Sequence, residues 1–187
     1  MIRESDADRA GQPVLRRAVP ADAPRISALM RASALDLFPR FYDAEQTASG
    51  ARYIAHLDPQ LLDDGTYFVH EAGGGIVACG GWSRRGKLYA GSGDRADDDR
   101  LLDPTAEPAR VRAMFVRSDW TRRGLGRAIL EACRDAAAAE GFGALTLMAT
   151  LPGVPLYRAF GFEEVERTTV TMPDGVTVEG VVMGRPT

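Results

Sequence analysis

The hydrophobic residues of the chain recur with two spacings, and these spacings predict which segments are strands and which are helices. A first strand is predicted over Val14 to Ala18, and a helix is predicted to begin at Asp22, ahead of a proline. The buried face of this helix is predicted to carry Ile26, Leu29, Met30 and Ser33. A second helix is expected to run from Asp43 toward Leu57, because Asp43 and Gln46 have the spacing of a capping box.

Alternating hydrophobic residues return in the middle of the chain, where they predict strands. The sequence TYFVHEAGGGIVACGGWS predicts a hairpin of two strands joined by the glycines at 73–75. In ARVRAMFV, one face of the strand is predicted to carry Val111, Ala113 and Phe115. The helix that follows is predicted to bury Leu125, Ile129, Cys133 and Ala136. Gly141 stands where a glycine would end that helix.

The last part of the chain predicts a strand, a short helix and a hairpin. ALTLMAT has the composition of a strand, and Pro155 to Phe160 predicts a short helix that Gly161 ends. Two strands are then predicted around the turn at 173–175, which reads Pro-Asp-Gly. Strands and helices alternate in the middle of the chain and hairpins lie on both sides, so the order predicts a mixed α+β sheet.

Length and composition limit the class of protein to which this sheet can belong. The chain has 187 residues, of which 45% are hydrophobic and 26% charged, as in an ordinary globular protein. We expect residues 13–187 to form one domain, residues 1–12 to be a mobile tail, and Gly86 to Pro108 to be a long loop. There is no apolar run of membrane-spanning length and no signal peptide, so we expect a cytoplasmic protein without membrane partners.

Charge and cysteine content exclude further classes of protein. The formal net charge of −3 argues against general binding to nucleic acid, although a local basic pocket is compatible with it. The two cysteines, Cys79 and Cys133, are too few for a disulfide framework and lack the spacing of a zinc site. No metal site is predicted.

The turn TRRGLGRA, between the strand at 109–116 and the next helix, has the residues of an anion site. A helix start leaves backbone N–H groups unpaired and attracts phosphate. Gly124 and Gly126 carry no side chain that would block those groups, and the position is surrounded by Arg122, Arg123 and Arg127. A tight connection whose arginines point into water would show the same residues.

Two known phosphate motifs do not fit the turn. A P-loop needs a Lys-Ser/Thr pair after its glycines, which is missing, and the dinucleotide fingerprint needs a third glycine where this chain has Ile129. The ligand is therefore expected to be a phosphate compound other than ATP or NAD.

Three segments in a fixed order resemble the GNAT superfamily of N-acetyltransferases, over roughly Val14 to Met183. The segments are AMFVRSDWTRRGLGRAIL, ALTLMAT and VPLYRAFGFEEV. The resemblance implies a GNAT-like α+β fold, with a mixed, mostly antiparallel twisted sheet flanked by about four helices. It also implies acetyl-CoA as cosubstrate. One position departs from the family pattern, because Thr121 stands where the motif has Arg or Gln.

The resemblance also implies roles for individual residues. The backbone of Met114, Phe115 and Val116 would pair with the pantetheine arm of CoA, and Phe160 would pack beside the cofactor. The pyrophosphate would bind N–H groups of Arg122, Arg123, Gly124, Leu125, Gly126, Arg127 and Ala128. Tyr157 matches the tyrosine that protonates the departing thiolate, although burying the short helix would also explain an aromatic residue there.

The acceptor side is less defined by the sequence. Arg110 occupies the position where some family members have a carboxylate base, and the nearest acid is Glu107, which we take as the candidate base against the alternative of an exposed loop carboxylate. Phe38, Tyr42 and Trp82 are candidates for the acceptor pocket, with core packing as the alternative for Trp82.

Together these features predict an enzyme that transfers an acetyl group from acetyl-CoA to an amine of a small molecule or peptide. The amine would attack directly in a ternary complex, without a covalent enzyme intermediate. The alternatives are a non-catalytic acyl-CoA sensor and a binder of phosphate sugars or nucleotides. The patterns leave open whether the chain forms a homodimer, for which the C-terminal hairpin is the candidate contact. The identity of the acceptor is not contained in these patterns.

Overall fold

The computed structural model describes residues 11–88 and 99–187, which form seven strands and five α-helices. The strands are β1 (Val14–Arg17), β2 (Tyr67–Ala72), β3 (Gly75–Ser83), β4 (Ala109–Val116), β5 (Ala144–Thr150), β6 (Glu163–Thr171) and β7 (Thr177–Pro186). The helices are α1 (Ala23–Leu37), α2 (Ala44–Tyr53), α3 (Pro59–Asp63), α4 (Leu125–Ala139) and α5 (Val154–Ala159). Most of the predicted tail and residues 89–98 of the predicted long loop lie outside the described residues.

All seven strands belong to one sheet in the order β1-β2-β3-β4-β5-β7-β6. Every neighbouring pair is antiparallel except β4 and β5, which are parallel. The mixed and mostly antiparallel sheet of the α+β prediction is therefore confirmed. The helix count exceeds the expected four by the short helix α3, which was not predicted and which begins with Asp58 as N-cap followed by Pro59.

The helices cover the two faces of the sheet and create two hydrophobic cores. On one face, α4 and α5 pack against the sheet through residues such as Ile129, Leu130 and Tyr157. On the other face, α1, α2 and α3 pack through residues such as Ile26, Met30 and Leu61. The strands between these layers are buried on both sides at the centre of the sheet, which holds the central strands β3 and β4 in place.

Local sequence signals set the ends of several helices. The Asp43 carboxylate accepts from the Gln46 N–H at 2.8 Å and the Gln46 amide oxygen accepts from the Asp43 N–H at 3.1 Å, so the predicted capping box is confirmed. Helix α2 nevertheless ends at Tyr53 rather than near Leu57. Gly141 follows α4 with a φ of +91°, as expected for a glycine that ends a helix.

The face assignment predicted for β4 is wrong at one position. Ala113 has a φ of +53°, and the pairing with β3 is shifted there, so β4 carries a bulge. The extra residue reverses the alternation. Val111 and Met114 pack toward α4, while Ala113 and Phe115 pack toward α1, so Val111 and Ala113 do not share a face. An alanine in the left-handed region leaves no signal in the pattern of hydrophobic residues.

The two edges of the sheet are polar. At β1, the Arg16 guanidinium pairs with the carboxylates of Asp22 at 2.7 Å and Glu71 at 2.9 Å. At the opposite edge, β6 is mostly exposed and its Arg167 pairs with Glu164 and Glu179. Charged edges of this kind discourage uncontrolled strand pairing. Among the helices of residues 11–88 and 99–187, none is both long and apolar enough to cross a membrane.

Candidate active site

The parallel strands β4 and β5 separate shortly after they begin. Their register consists of Ala109 opposite Leu145 and Arg110 opposite Thr146, and the two strands diverge beyond that point. The part of β4 from Val111 onward therefore has an edge that does not pair with β5. A free strand edge inside a sheet offers backbone N–H and C=O groups to an extended ligand. Met114, Phe115 and Val116 all lie on this part of β4, as the sequence analysis requires.

Helix α4 begins beside this opening, after a turn with an unusual backbone. Arg122 and Gly124 have φ values of +64° and +79°, so both lie in the left-handed region. Turns that contain left-handed residues can direct successive N–H groups toward one side of the chain, where an anion can bind. Within the described residues, the N–H groups from Arg122 to Arg127 donate to no other backbone carbonyl. The turn and the positive end of α4 therefore present several unpaired donors.

The set of backbone N–H groups predicted to bind the pyrophosphate includes one residue too many. The N–H of Ala128 donates to the carbonyl of Gly124 at 3.0 Å and so makes the first backbone hydrogen bond of α4. Because this donor is already used, Ala128 is removed from the predicted pyrophosphate contacts. Leu125 can contribute only its N–H, since its side chain lies in the core beneath the helix.

Glycine is required at the two positions of the turn for different structural reasons. Gly124 needs its positive φ, and a Cβ there would meet nothing within 4 Å. Gly126 has no such φ, but a Cβ there would lie 2.8 Å from Cδ2 of Leu156 on α5. Gly126 thus permits the close approach of α4 and α5, in addition to any role beside a phosphate.

The arginines of the turn are oriented by aromatic rings and acids. The Arg123 guanidinium stacks over Trp120 at 4.5 Å from the ring centre, so Trp120 packs against the turn. Arg127 lies 5.6 Å from the ring of Phe160 and pairs with Glu131 at 3.1 Å. Arg122 is exposed. All three cations remain near the N-terminus of α4, which makes this region strongly attractive to anions.

Tyr157 lies on α5, with its ring in the core between α4, α5 and the sheet. Only 7% of the residue is exposed, and its ring packs edge-on against Phe162 at 5.8 Å. Burial raises the pKa of Tyr157 above the ordinary value of 10.0. The phenol is therefore protonated throughout the physiological range and can act as a proton donor.

Phe160 lies at the end of α5, under a cluster of arginines. Its ring centre is 4.8 Å from the Arg185 guanidinium and 5.9 Å from that of Arg134, in addition to the contact with Arg127. Arg185 also donates to the Phe160 carbonyl. The aromatic ring thus joins the α4 start to the cationic surface beside it, where the resemblance placed it next to a cofactor.

The comparison of the sequence with family models matches the acetyltransferase (GNAT) domain over residues 63–164, more than half of the chain. The chain belongs to the GNAT acetyltransferase family. The match includes β4, the turn, α4, β5 and α5, so it covers the opening, the start of α4 and Tyr157. A comparison with curated protein sequences found no match.

Solved structures share the GNAT fold over nearly the full chain. The GCN5-related N-acetyltransferase of Rhodopseudomonas palustris is 20% identical, with a TM-score of 0.69 over 95% of this chain and 98% of that one. PaiA N-acetyltransferase of Thermoplasma acidophilum, solved with coenzyme A, is 12% identical, with a TM-score of 0.64 over 94% and 99%. YncA of Salmonella typhimurium, solved with its cofactor acetyl-CoA, is 17% identical, with a TM-score of 0.60 over 94% of each chain.

Within this GNAT fold, Glu107 is poorly suited to the predicted role of general base. Its carboxylate accepts two hydrogen bonds from the Arg100 guanidinium, at 2.7 and 2.8 Å, and one from the Asp103 N–H at 2.9 Å. The Arg100 hydrogen bonds are the main reason that the pKa of Glu107 falls from 4.5 to about 2. A carboxylate of such low basicity, already paired, is a weak proton acceptor. The structure therefore supports the alternative, a loop carboxylate that holds residues 100–107 together.

We expect Glu107→Gln to leave kcat nearly unchanged and to lower stability in a pH-dependent manner. The folded-state pKa is lowered, so the ionised carboxylate stabilises the fold above the unfolded pKa of roughly 4.3, and this stabilisation is lost as the pH falls toward 2. Thermal unfolding between pH 7 and pH 2 checks this. The melting temperatures of wild type and variant should differ at pH 7 and converge toward pH 2. A large loss of kcat at pH 7 would instead restore Glu107 as the base.

The three residues predicted to line the acceptor pocket are all buried by the protein itself. Phe38 packs edge-on against Tyr42 at 5.5 Å and fills the space over Gly50, between α1 and α2. Trp82 is 1% exposed and packs edge-on against Phe142 at 5.9 Å. Phe38 and Trp82 thus form core contacts, because large aromatic side chains near a site are also the best fillers of the space beneath it.

Tyr42 connects two distant segments through its hydroxyl group. The hydroxyl donates to the Glu179 carbonyl at 2.8 Å and accepts from the Leu151 N–H at 2.9 Å, so it joins β7 to the turn after β5. Burial raises the pKa of Tyr42 to about 12. With both of these hydrogen bonds directed to the protein, the residue is better explained as a structural link than as an acceptor contact.

We expect Tyr42→Phe to lower the free energy of unfolding by roughly 1 to 3 kcal/mol, because it removes two part-buried hydrogen bonds, to the Glu179 carbonyl and from the Leu151 N–H. Chemical denaturation measures the change. Tyr53→Phe is the matched control, since no hydrogen bond of its hydroxyl is found in the part of the chain that the structure describes, and it should change stability by much less. An unaltered unfolding midpoint for Tyr42→Phe would contradict the link.

Proposed function

We propose that the protein transfers an acetyl group from acetyl-CoA to an amine by direct attack in a ternary complex. The observation that carries this proposal is the opening between β4 and β5, beside which α4 begins, while Tyr157 on α5 packs in the same core as α4. Together these elements offer what the reaction needs: a free strand edge, a row of unpaired N–H groups and a protonated phenol.

Acetyl-CoA, the acetyl donor, would bind in this opening with its pyrophosphate at the surface and its pantetheine arm farther inside. The N–H groups from Arg122 to Arg127 would bind the pyrophosphate, since a phosphate group suits a helix N-terminus surrounded by arginines. The edge of β4 at Met114, Phe115 and Val116 would pair with the amide groups of pantetheine. The solved relatives that hold coenzyme A and acetyl-CoA support this assignment through their shared fold.

The reaction then needs little covalent chemistry from the protein. The neutral amine attacks the thioester carbonyl, and a backbone N–H near Phe115 or Val116 stabilises the developing oxyanion. The C–S bond breaks, and Tyr157 gives its proton to the departing thiolate. The proton lost by the amine passes to solvent or to a base not yet identified. Holding both substrates in position supplies most of the rate enhancement.

A titration with acetyl-CoA, CoA and dephosphorylated pantetheine tests the donor site directly by calorimetry. We expect CoA and acetyl-CoA to bind tightly and pantetheine to bind far more weakly, because it lacks the pyrophosphate that the α4 start would hold. A phosphate-sugar or nucleotide binder would not need the pantetheine arm, so nucleotide alone would bind as well as CoA. A lack of any binding would overturn the proposal.

Other parts of the prediction remain proposals. A single domain over residues 13–187, a cytoplasmic location and the absence of nucleic-acid and membrane partners rest on composition. A homodimer would use the exposed edge strand β6, and sedimentation of the purified protein would detect it. A non-catalytic acyl-CoA sensor would show the same CoA affinity but no acetyl transfer.

A further inference from the structure

The Arg110 side chain lies on the face of β4 opposite α4, whose start is the proposed pyrophosphate site. Its neighbours in the strand, Ala109 and Val111, both pack into the core formed with α4 and α5. Alternation along the strand therefore places the Arg110 side chain on the opposite face, the one covered by α1, α2 and α3. It also stands at the last residue pair before β4 and β5 separate, and so at the base of the opening.

The Arg110 guanidinium has no partner in the described part of the chain. Nε is buried and makes no hydrogen bond. The two Nη groups also make no hydrogen bond or ion pair there, and they remain accessible. Burial lowers the pKa of the group from its ordinary value, against the attraction of Glu107, although an arginine remains charged. A partly desolvated and unpaired guanidinium is unfavourable for stability, which suggests a ligand as its partner.

Among residues 11–88 and 99–187, the neighbouring charges do not supply this partner, because they are engaged elsewhere. The carboxylate of Glu107 is held by Arg100 and the N–H of Asp103, as described above. Asp58, the next acid on this face of the sheet, pairs with Arg112 at 3.3 Å and with Lys87 at 3.5 Å. Arg110 thus keeps two parallel N–H donors available at the base of the opening, an arrangement that fits a carboxylate.

A mostly apolar cavity lies farther along the same face. Its volume is about 50 Å³, and it is lined by Ile54, Met148, Thr150, Val170, Met172 and Glu179, among others. The Glu179 carboxylate pairs with Arg167 at 3.0 Å. Thr146 on β5 lies opposite Arg110 in the strand pairing. Met148 and Thr150 follow Thr146 by two and four residues, so they lie roughly 7 and 13 Å from Thr146 along the strand. The cavity is about a third of the roughly 150 Å³ that accommodates benzene, so a short aliphatic group suits it better than an aromatic ring.

We propose that the acceptor is an amine that also carries a carboxylate and a short aliphatic group, as a free aliphatic amino acid does. Arg110 binds the carboxylate through its two Nη groups, the cavity at Met148 holds the aliphatic group, and the amine faces the opening between β4 and β5. This inference rests on the proposed acetyl transfer and assigns its substrate class. Arg110 thereby acts as a specificity-determining residue, in the position where some family members have a carboxylate base.

Matched pairs of amines that differ only in the carboxylate test the inference. Valine, leucine and methionine are compared with isobutylamine, isoamylamine and 3-(methylthio)propylamine by the release of CoA from acetyl-CoA. Each measurement is made at a pH where the amines are partly deprotonated and is corrected for the fraction of free amine. We expect kcat/KM to be roughly 10 to 100 times higher for the amino acid of the best pair, as for a hydrogen-bonded charge pair.

Variants assign this preference to Arg110. Arg110→Met should abolish the preference by lowering kcat/KM for the amino acids, and Arg110→Lys should keep only part of it, because lysine lacks the planar pair of donors. The melting temperature of Arg110→Met without substrate should equal or exceed that of wild type, since an unpaired charge is removed. Arg17→Gln, an exposed arginine on the edge strand β1, is the control and should behave as wild type.

The outcomes separate this inference from the proposed function. Equal rates within every pair, a preference for the decarboxylated amines, or an unchanged preference in Arg110→Met would overturn the inference. Binding of acetyl-CoA without acetylation of any of these compounds would also overturn it, while the donor site would stand. If acetyl-CoA does not bind, the proposed function fails and the inference fails with it.

Discussion

Replacing Tyr157 with phenylalanine is expected to lower kcat by roughly 100-fold or more while leaving the affinity for CoA nearly unchanged. A positioned general acid contributes about 10² to 10⁴ in rate, and it acts only when the thiolate departs. A group used in the transition state affects kcat and kcat/KM, whereas the bound ground state does not depend on it. Steady-state kinetics with an accepted amine and calorimetry with CoA measure the two quantities separately.

The structure makes this substitution a specific probe of the hydroxyl group. Phenylalanine keeps the edge-on contact with Phe162 and the contact of the ring with Gly153, so the packing of α5 should be preserved. Phe162→Leu is the matched control, because it weakens the same packing and leaves the hydroxyl in place. We expect Phe162→Leu to reduce stability more than Tyr157→Phe does, and to reduce kcat by much less.

Equal turnover of Tyr157→Phe and wild type would remove the tyrosine from the mechanism. In that case its buried position would be explained by core packing alone, as the alternative in the sequence analysis holds. If purified wild type binds CoA and transfers no acetyl group to any amine, the sensor alternative would replace the enzyme, and the substitution would have no activity to change.

The elements around the donor site could be predicted because short local patterns determine them. Alternation identified β4, composition identified β5, the glycines at 73–75 identified the hairpin, and the pair Asp43 and Gln46 identified the start of α2. The order of the strand, turn and helix at 109–139 then carried the family resemblance. These signals are local, since a cap or a turn depends on residues within a few positions of each other.

Features that depend on tertiary contacts were not predictable in the same way. The bulge at Ala113 reverses the faces of β4, and it follows from pairing with β3 rather than from the alanine itself. Phe38, Tyr42 and Trp82 have the composition of a ligand pocket, but neighbouring helices and strands cover them. Two further features become visible only when the loop and the strand are placed together. Arg100 pairs with Glu107, and Arg110 has no partner among the residues that the structure describes.

The contact between Gly126 and Leu156 also decides which glycine can test the pyrophosphate site. A side chain at Gly126 would push against α5, so a loss of CoA binding by Gly126→Asp would combine a packing defect with a charge effect. Gly124 has open space around the position of a Cβ. Its φ of +79° is unfavourable for most residues, but Asp and Asn tolerate this region better than others and do so to a similar degree.

Gly124→Asp is therefore expected to weaken CoA binding by about 100-fold relative to Gly124→Asn. Both variants place a side chain of the same size beside the start of α4, and only aspartate places a negative charge against the pyrophosphate. Two charges about 4 Å apart near a protein surface interact by roughly 4 kcal/mol, so a difference of about 2.7 kcal/mol after partial screening is reasonable. Calorimetric titration with CoA at low and high salt measures it, and the difference should shrink as salt is added. Equal CoA affinities of two folded variants would mean that no phosphate lies at the α4 start, because a pyrophosphate at this position would interact with the added charge.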